Sequence, residues 1–595
     1  MDGLGYVGRD LLVTALRRRQ APRSRLSWWD GRYRTRIRSV THRPGYSNAG
    51  AGAAPGVAET LAAVRRGAWT TPGRPRRTRA VRAAFGRSTG TPGYSHAVAS
   101  SLPEADETDS IGEACGVFGI WGPGLPTSHL TYLALYALQH RGQESAGIAV
   151  TDGVQMCVDK GMGLVPAIFN EHRLAALTGH VAIGHTRYST TGSSTWRNAQ
   201  PVFRGSRLTQ FALAHNGNLI NTRELLELTN MTAEDVGSDS DVVAELLARE
   251  LAAHVATDSD PHAFEKALLT TLPQLRGAFS FVMLAGDRLI GVRDPNGFRP
   301  LFLGRLDDGW VLASETPALD VIGATVVREV APGEVIFIDG DGVYSEWPFA
   351  DERIDPRLCI FEFVYFARPD GELRGESIQL ARQRMGEQLA REAPADADLV
   401  VPIPDSSIPG AQGYARQSGI PYGDGFVKNR YIGRTFIAPS QELREAAVRI
   451  KLNPIKRVVE GKRLVVIDDS IVRATTLRET VRMVRKAGAA EVHLRILSPP
   501  YRWPCFFGMD TADRSKLIAA NLSVDDIREY LGADSLSYLS LDGLRGSMAP
   551  PRKGFCDACL TGRYPIELPS ELLAATDLGA DPSGLPTSGA TAIRR

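Results

Sequence analysis

Two stretches carry residue types that could do chemistry, and each demands a different kind. The first is Cys115-Gly116-Val117-Phe118-Gly119. A thiol attacks only as its thiolate and needs a base. The free α-amine of an N-terminal cysteine, with a reference pKa of about 8, supplies one within the same residue. The expectation is a mature chain that begins at Cys115. In isolation, a cysteine among glycines reads instead as a small buried side chain in a strand. The second stretch runs from Arg463 to Thr476. An apolar strand ends there in Asp468 and Asp469, and beyond a loop a helix opens with Leu477, Val481 and Val484 on one face and Gly488 at its end. A further strand, Val492 to Leu497, completes a βαβ unit, whose strands must be parallel. Ligands of such sheets sit at the carboxyl ends of the strands. Loop N–H groups and the helix N-terminus can cradle phosphate. The acids can hold ribose hydroxyls and the magnesium that accompanies a diphosphate. Two acids after a strand also read as a solvated turn or a receiver-like metal site.

Six cysteines are present: Cys115, Cys157, Cys359, Cys505, Cys556 and Cys559. Cys157 falls in an apolar strand, Val154 to Val158, and is expected to pack in a core. Cys556-Asp557-Ala558-Cys559 places two thiols one turn apart, a spacing shared by redox pairs and zinc sites. Free thiols argue for a reducing cytoplasm.

The elements that would position these groups are legible by period. Phe279–Leu284 and Glu334–Ile338 read as strands, while Leu130–His140 and Asp241–His254 show helical recurrence of apolar residues. At 595 residues and 43% hydrophobic content, the chain suffices for two or three ordinary domains. A net charge of +2 suggests no general polyanion binding, so neither nucleic acid nor membrane is an expected partner. That average hides nineteen arginines, no lysine and four acids in the first hundred residues. Residues 1–114 are expected to be a basic, disordered leader or propeptide. An organellar transit peptide, a nucleic-acid tail and a misassigned start codon are alternative readings, and the next methionine after Met1 is Met156. Residues 568–595 are expected to form a disordered tail.

Beside these motifs stand Gln139-His140-Arg141-Gly142-Gln143-Glu144-Ser145, Gly184-His185-Thr186-Arg187-Tyr188-Ser189-Thr190 and His215-Asn216-Gly217-Asn218. With Cys115-Gly116-Val117-Phe118-Gly119 they resemble the class II glutamine amidotransferases. With the Asp468-Asp469-Ser470-Ile471-Val472-Arg473 string, the span from about 113 to about 567 is similar to the amidophosphoribosyltransferase family, in its iron-sulfur-containing branch. The resemblance implies an α+β N-terminal-nucleophile (αββα) amidotransferase domain over 115–345. An α/β type I phosphoribosyltransferase domain over 346–567 would follow.

It also implies roles. Cys115 would be the nucleophile, with Asn216 and Gly217 as oxyanion donors, each typically worth about 3 kcal/mol. Arg187 would bind the glutamine carboxylate bidentately and Asp239 its amine, with Asp241 a second candidate. Read alone, Asn216-Gly217 is a hairpin turn. Asp468, Asp469, Ser470, Arg473, Thr475 and Thr476, with Lys428 and Lys451, would bind phosphoribosyl pyrophosphate (PRPP). Ser406 would join the two acids on Mg2+, and Arg430 and Arg434 would lie in a loop that closes over the sugar phosphate. Cys359, Cys505, Cys556 and Cys559 would ligate a [4Fe-4S] cluster, with zinc as the alternative. The family has glycine where Ala474 stands, so close approach of backbone to phosphate is in question there. The implied reaction transfers the amide nitrogen of L-glutamine to PRPP. Its products are 5-phosphoribosylamine, glutamate and diphosphate, at the first committed step of purine synthesis. Purine nucleotides as inhibitors and a homotetramer are implied as well. A different class II amidotransferase, or a catalytically impaired PRPP-sensing regulator of the same fold, is the competing reading.

Overall fold

The computed structural model describes residues 115–188, 195–205, 210–232, 236–255, 260, 262–429, 451–509, 511, 513–548 and 554–575. The expected leader, the loop positions Arg430 and Arg434, and residues 576–595 lie outside them. In chain order the first strands are β1 (Gly116–Trp121), β2 (Ser145–Thr151), β3 (Met156–Met162), β4 (Val181–Arg187), β5 (Val202–Gly205), β6 (Gln210–Leu219) and β7 (Gly277–Ala285). They are followed by β8 (Arg288–Arg293), β9 (Phe302–Leu306), β10 (Gly309–Ala313), β11 (Thr325–Glu329), β12 (Val335–Asp339) and β13 (Gly342–Glu346). They build one sheet in the order β11-β9-β10-β1-β4-β2-β3 and a second in the order β13-β12-β8-β7-β6-β5.

Small and branched side chains let the two sheets stack. Val117, Ala149, Val181 and Ile183 of the first meet Ala212, Ala214, Val282 and Leu284 of the second in one buried cluster. Helix α1 (Thr127–Ala137) covers the outer face of the first sheet, and helices Thr222–Thr229, Asp239–Val255 and Ala263–Thr271 cover the second. This is the expected αββα sandwich. α1 starts three residues before the apolar period marked it. Its first turn is buried through hydroxyls instead, Thr127 donating to the Gly179 carbonyl and Ser128 to that of Leu174. Cys157 departs from expectation: among the described residues β3 is an edge strand paired with β2 alone, and Cys157 is exposed. Strand period was read correctly there, but not which face is covered.

The second domain is a parallel sheet of strands Leu399–Pro402, Arg463–Asp468, Glu491–Ile496 and Ser535–Tyr538, adjacent in that order. Alternate residues of its strands point to opposite faces. Val400, Val465 and Ile467 pack with helices Ile378–Glu392 and Ile408–Ser418. Val401, Leu464 and Val466 pack with helices Thr475–Lys486 and Val524–Leu531. The cluster beneath α1 runs without a break into the first of these faces, so the two domains share a core. The expectation of a disordered tail from 568 is corrected over its first residues. Ser570–Ala575 is helical, and Leu572 and Leu573 pack beside buried Leu568 against Ile220 and Phe506. Among the described residues no helix is long and apolar enough to cross a membrane.

Candidate active site

Cys115 immediately precedes β1, whose pairing with β4 sets Gly116 opposite Thr186. Its thiol is buried and donates to the Tyr188 carbonyl at 3.5 Å. Burial pushes the thiol above its ordinary range, the Tyr188 hydrogen bond and the charge of Arg187 oppose this, and Glu144 and Asp239 add to it. Thiol, cation and two acids therefore share one site. Arg187 is paired with Glu144, a residue the sequence reading did not single out, although it lies in the Gln139–Ser145 motif. The reason for the glycine in that motif is steric. A Cβ on Gly142 would stand 2.4 Å from the Thr186 carbonyl carbon, so only glycine lets this segment lie against β4 at Arg187.

Asp239 accepts from the backbone N–H of Leu219 at 3.1 Å and of Ser240 at 2.8 Å, and lies 3.6 Å from His215 Nδ1. Burial alone would push its carboxyl up, but the His215 charge and these donors hold it below the usual range. Asp241 instead faces Arg204 at 3.4 Å. Asn216 sits in β6 opposite Ser280, fully buried, and neither polar atom of its amide has a partner among the described residues. Leaving such a group unsatisfied costs about 1–3 kcal/mol, which a bound oxyanion would offset. Gly217 follows with φ +149°, and a Cβ there would meet the Ala278 carbonyl oxygen at 2.1 Å.

The second constellation lies at the carboxyl end of Arg463–Asp468. A cavity of about 530 Å³ is lined there by Asp468, Asp469, Ser470 and Thr476, with Ser406 and Lys428 from neighbouring loops. The Ser406 hydroxyl donates to Asp469, and the Ser470 hydroxyl donates to the same carboxylate at 2.6 Å. Burial pushes both acids up, and the charge of Asp469 raises Asp468 further. Lys428 Nζ lies 2.8 Å from Asp405. Lys451 is brought beside it, because the Asn429 N–H donates to the Lys451 carbonyl at 2.8 Å next to the pairing of Lys428 with Leu452. Arg473 is half-buried in the loop, and Thr475 opens the helix on its exposed side. Ala474, the residue before it, has φ +68° and ψ 0°, the left-handed conformation. Its other walls include Arg382 and the segment Tyr365 to Pro369 and, from the first domain, Tyr136, Ala137 and His140. Sequence reasoning missed Arg382 and His140, since nothing local to either points to a site so distant in the chain.

The other four cysteines converge between the domains. Leu358–Cys359 pairs in parallel with Phe555–Cys556, so Cys359 stands opposite Cys556. The Trp503 N–H donates to the Cys559 carbonyl at 3.0 Å, drawing in the segment that bears Cys505. Burial, and then the charges of the others, push the Cys556 and Cys559 thiols well up, and burial takes Cys359 up to about 11. Among the described residues, no three His, Cys, Asp or Glu side chains are grouped closely enough to share one metal ion.

Fold and sites together define an enzyme of two joined parts, a glutamine amidotransferase and a phosphoribosyltransferase. A family model described as a glutamine amidotransferase domain matches residues 185–321, and one described as a phosphoribosyl transferase domain matches 375–498. The amidophosphoribosyltransferase of Mycobacterium tuberculosis is 51% identical over 491 residues, covering 80% of this chain and 90% of its own. That of Bacillus subtilis is 45% identical, covering 78% and 96%. Two solved structures, each 44% identical and covering 77% of this chain, superpose with TM-scores of 0.71 and 0.70. One is described as the allosteric regulatory enzyme of purine biosynthesis. The other is the B. subtilis glutamine PRPP amidotransferase complexed with ADP and GMP. The chain belongs to the amidophosphoribosyltransferase family.

Proposed function

We propose that this enzyme transfers the amide nitrogen of glutamine to PRPP, the first step of purine biosynthesis, with Cys115 and Asp468 marking the two halves of the reaction. The observation that carries this reading is the cavity at Asp468 and Asp469, whose walls come from both domains. The Cys115 thiolate attacks the side-chain carbonyl carbon of glutamine. Asn216 and Gly217 donate to the oxyanion, Arg187 holds the carboxylate, and Asp239 holds the ammonium group. The α-amine of an N-terminal Cys115 takes the thiol proton and hands it to the departing nitrogen, so the C–N bond breaks and ammonia leaves; water then releases glutamate from the thioester. Ammonia kept from solvent stays unprotonated. It attacks C1 of PRPP and displaces diphosphate, while Ser470, Arg473, Thr475, Thr476, Lys428 and Lys451 hold the phosphates.

The donor set suits Mg2+, since two adjacent carboxylates, Asp469 buried and Asp468 partly so, and Ser406 line one cavity. The ion would be held by Asp468, Asp469 and Ser406 and would neutralise the departing diphosphate. Four free thiols on converging segments, three of them buried, suit a [4Fe-4S] cluster that Cys359, Cys505, Cys556 and Cys559 would hold, tying together elements of the second domain. Purine nucleotides as inhibitors, a homotetramer and a cytoplasmic setting complete the proposal. The test is Cys115→Ala: glutamine-dependent synthesis vanishes while synthesis from ammonia at high pH persists. Equal loss of both activities would refute the division of labour.

A further inference from the structure

Three consecutive residues of the second domain, Phe506, Phe507 and Gly508, lie against the strand pair that carries Asn216 and Gly217. Asn218, the next residue of β6, donates from Nδ2 to the Phe506 carbonyl at 3.0 Å and to the carbonyl of its own neighbour, Leu219, at 3.2 Å. One amide thus joins the end of β6 to a segment 288 residues away in the chain. Arg299 secures the following residue, its Nε and Nη2 donating to the Phe507 carbonyl at 3.2 and 2.9 Å. The carbonyl of Arg299 accepts from the Ser280 hydroxyl at 3.1 Å, and Ser280 is the cross-strand partner of Asn216. Gly508 then comes so close that a Cβ there would stand 3.3 Å from the Gly217 carbonyl carbon and 3.1 Å from Arg299 Nη2. Its φ is +102°, a conformation that favours glycine. Apolar packing closes the contact. Phe506 and Phe507 are buried with Ile220, Ala278 and Phe298, and the Phe507 and Phe298 rings stack at 4.4 Å.

Such a contact has a chemical use. An oxyanion donor works only if it is held in place before charge develops, and a misplacement of about 1 Å can cost a hundredfold in rate. The Asn216 amide has no partner among the described residues, so its place, like that of the Gly217 N–H, is set by the backbone that bears it. Beyond Leu213, β6 pairs with β7 alone among the described residues, which leaves the end that carries the donors with the least strand support. We propose that Asn218 is a positioning residue of the glutamine site. Its bond to Phe506 seats the oxyanion donors on the phosphoribosyltransferase domain, so that glutamine is hydrolysed efficiently only while the two domains are joined there. This rests on the reading of Asn216 and Gly217 as oxyanion donors. Asn218 acts through them and exchanges no proton with substrate.

The experiment compares glutamine with ammonia as nitrogen source in the full-length enzyme. Asn218→Leu keeps the shape of the side chain and removes the donor. With glutamine it should lower kcat by about tenfold or more while KM for glutamine stays nearly unchanged, because Arg187 and Asp239 still bind the amino acid. Synthesis from ammonia should persist, which also marks the variant as folded. A role confined to stability would not lower kcat for one nitrogen source and spare the other. An unchanged kcat with glutamine, or a loss carried by KM, overturns the proposal. Phe507→Leu loosens the same contact from the opposite side, and it decides the matter if Asn218→Leu fails to fold. It should give the same split between kcat and KM and between the two nitrogen sources; equal falls with both sources overturn the proposal. In the double variant the losses should not multiply, since both changes undo one contact. Losses that multiply would make the two residues independent and overturn it as well. Full glutamine turnover in Asn216→Ala would instead refute the oxyanion assignment on which the proposal rests.

Discussion

Asn216 has a fully buried amide with both polar atoms unpartnered among the described residues, on the sheet that stacks against the one Cys115 leads into. Such groups are costly, and under the proposed reaction a transient oxyanion would recover that cost. Asn216, Cys115 and Asp239 were legible because each falls in a motif whose residue types have few other uses together. Ala474 was legible only as a departure, and its conformation makes the departure physical. An L-residue with φ +68° costs about 1–2 kcal/mol in the left-handed region, which glycine would relieve. Against this, Ala474 is 3% exposed, and losing a buried methyl costs about 0.8 kcal/mol, with a further loss from the freer unfolded chain. The terms nearly cancel. For Ala474→Gly the urea midpoint should therefore move little, within about 1 kcal/mol of stability. KM for PRPP should fall, because backbone can then approach phosphate more closely. A KM that rises would show that the methyl packs against the substrate loop to useful effect.

At the scale of elements, β6 and β7 explain why an Asn-Gly pair is no hairpin turn here. His215 to Asn218 run mid-strand, opposite Ala278 to Phe281. Local composition alone favours a turn; nine consecutive cross-strand partners override it. The same pairing makes glycine obligatory. In Gly217→Ala the new carbon would lie 2.1 Å from the Ala278 carbonyl oxygen, so β6 and β7 must part. Expected are a loss of about 2 kcal/mol or more in denaturant unfolding and at least a hundredfold fall in glutamine-dependent kcat. Ammonia-dependent synthesis should fall much less, since Asp468 and its loop stand on a different sheet. A variant that is fully active with glutamine would remove Gly217 from the oxyanion site. Periodicity served well where one face of an element is covered, as in Thr475–Lys486. It failed at Cys157, because an edge strand with both faces partly open keeps the alternation without the burial.

Across the whole molecule, what the sequence could not reveal is the meeting of distant charges. Arg141, Glu315 and Glu362 lie far apart in the chain and are buried at the domain junction, where Glu362 also takes Arg299. No local pattern announces such a network, since each member alone reads as a surface charge. Its consequence is a stability that depends on pH. Burial alone would push the Glu315 carboxyl up. The charges of His140 and Arg141 and the Arg368 N–H outweigh it and hold the group far below the carboxylate range. A depressed folded value means that the contribution is fully present above the unfolded value of about 4.3, and is lost as pH falls from there toward the folded value. Glu315→Gln keeps the shape but leaves Arg141 and His140 facing a neutral group. At pH 7 it should cost about 3–5 kcal/mol, the usual penalty for breaking a buried pair. Urea unfolding of both proteins at pH 7 and near pH 3 separates charge from packing. The gap should narrow on acidification, because the unfolded wild-type chain then takes up a proton at Glu315 that the folded protein does not, a loss of stability that the neutral variant does not share. A gap of equal size at both pH values would mean that Glu315 joins the domains by shape and hydrogen bonding, with its charge contributing nothing.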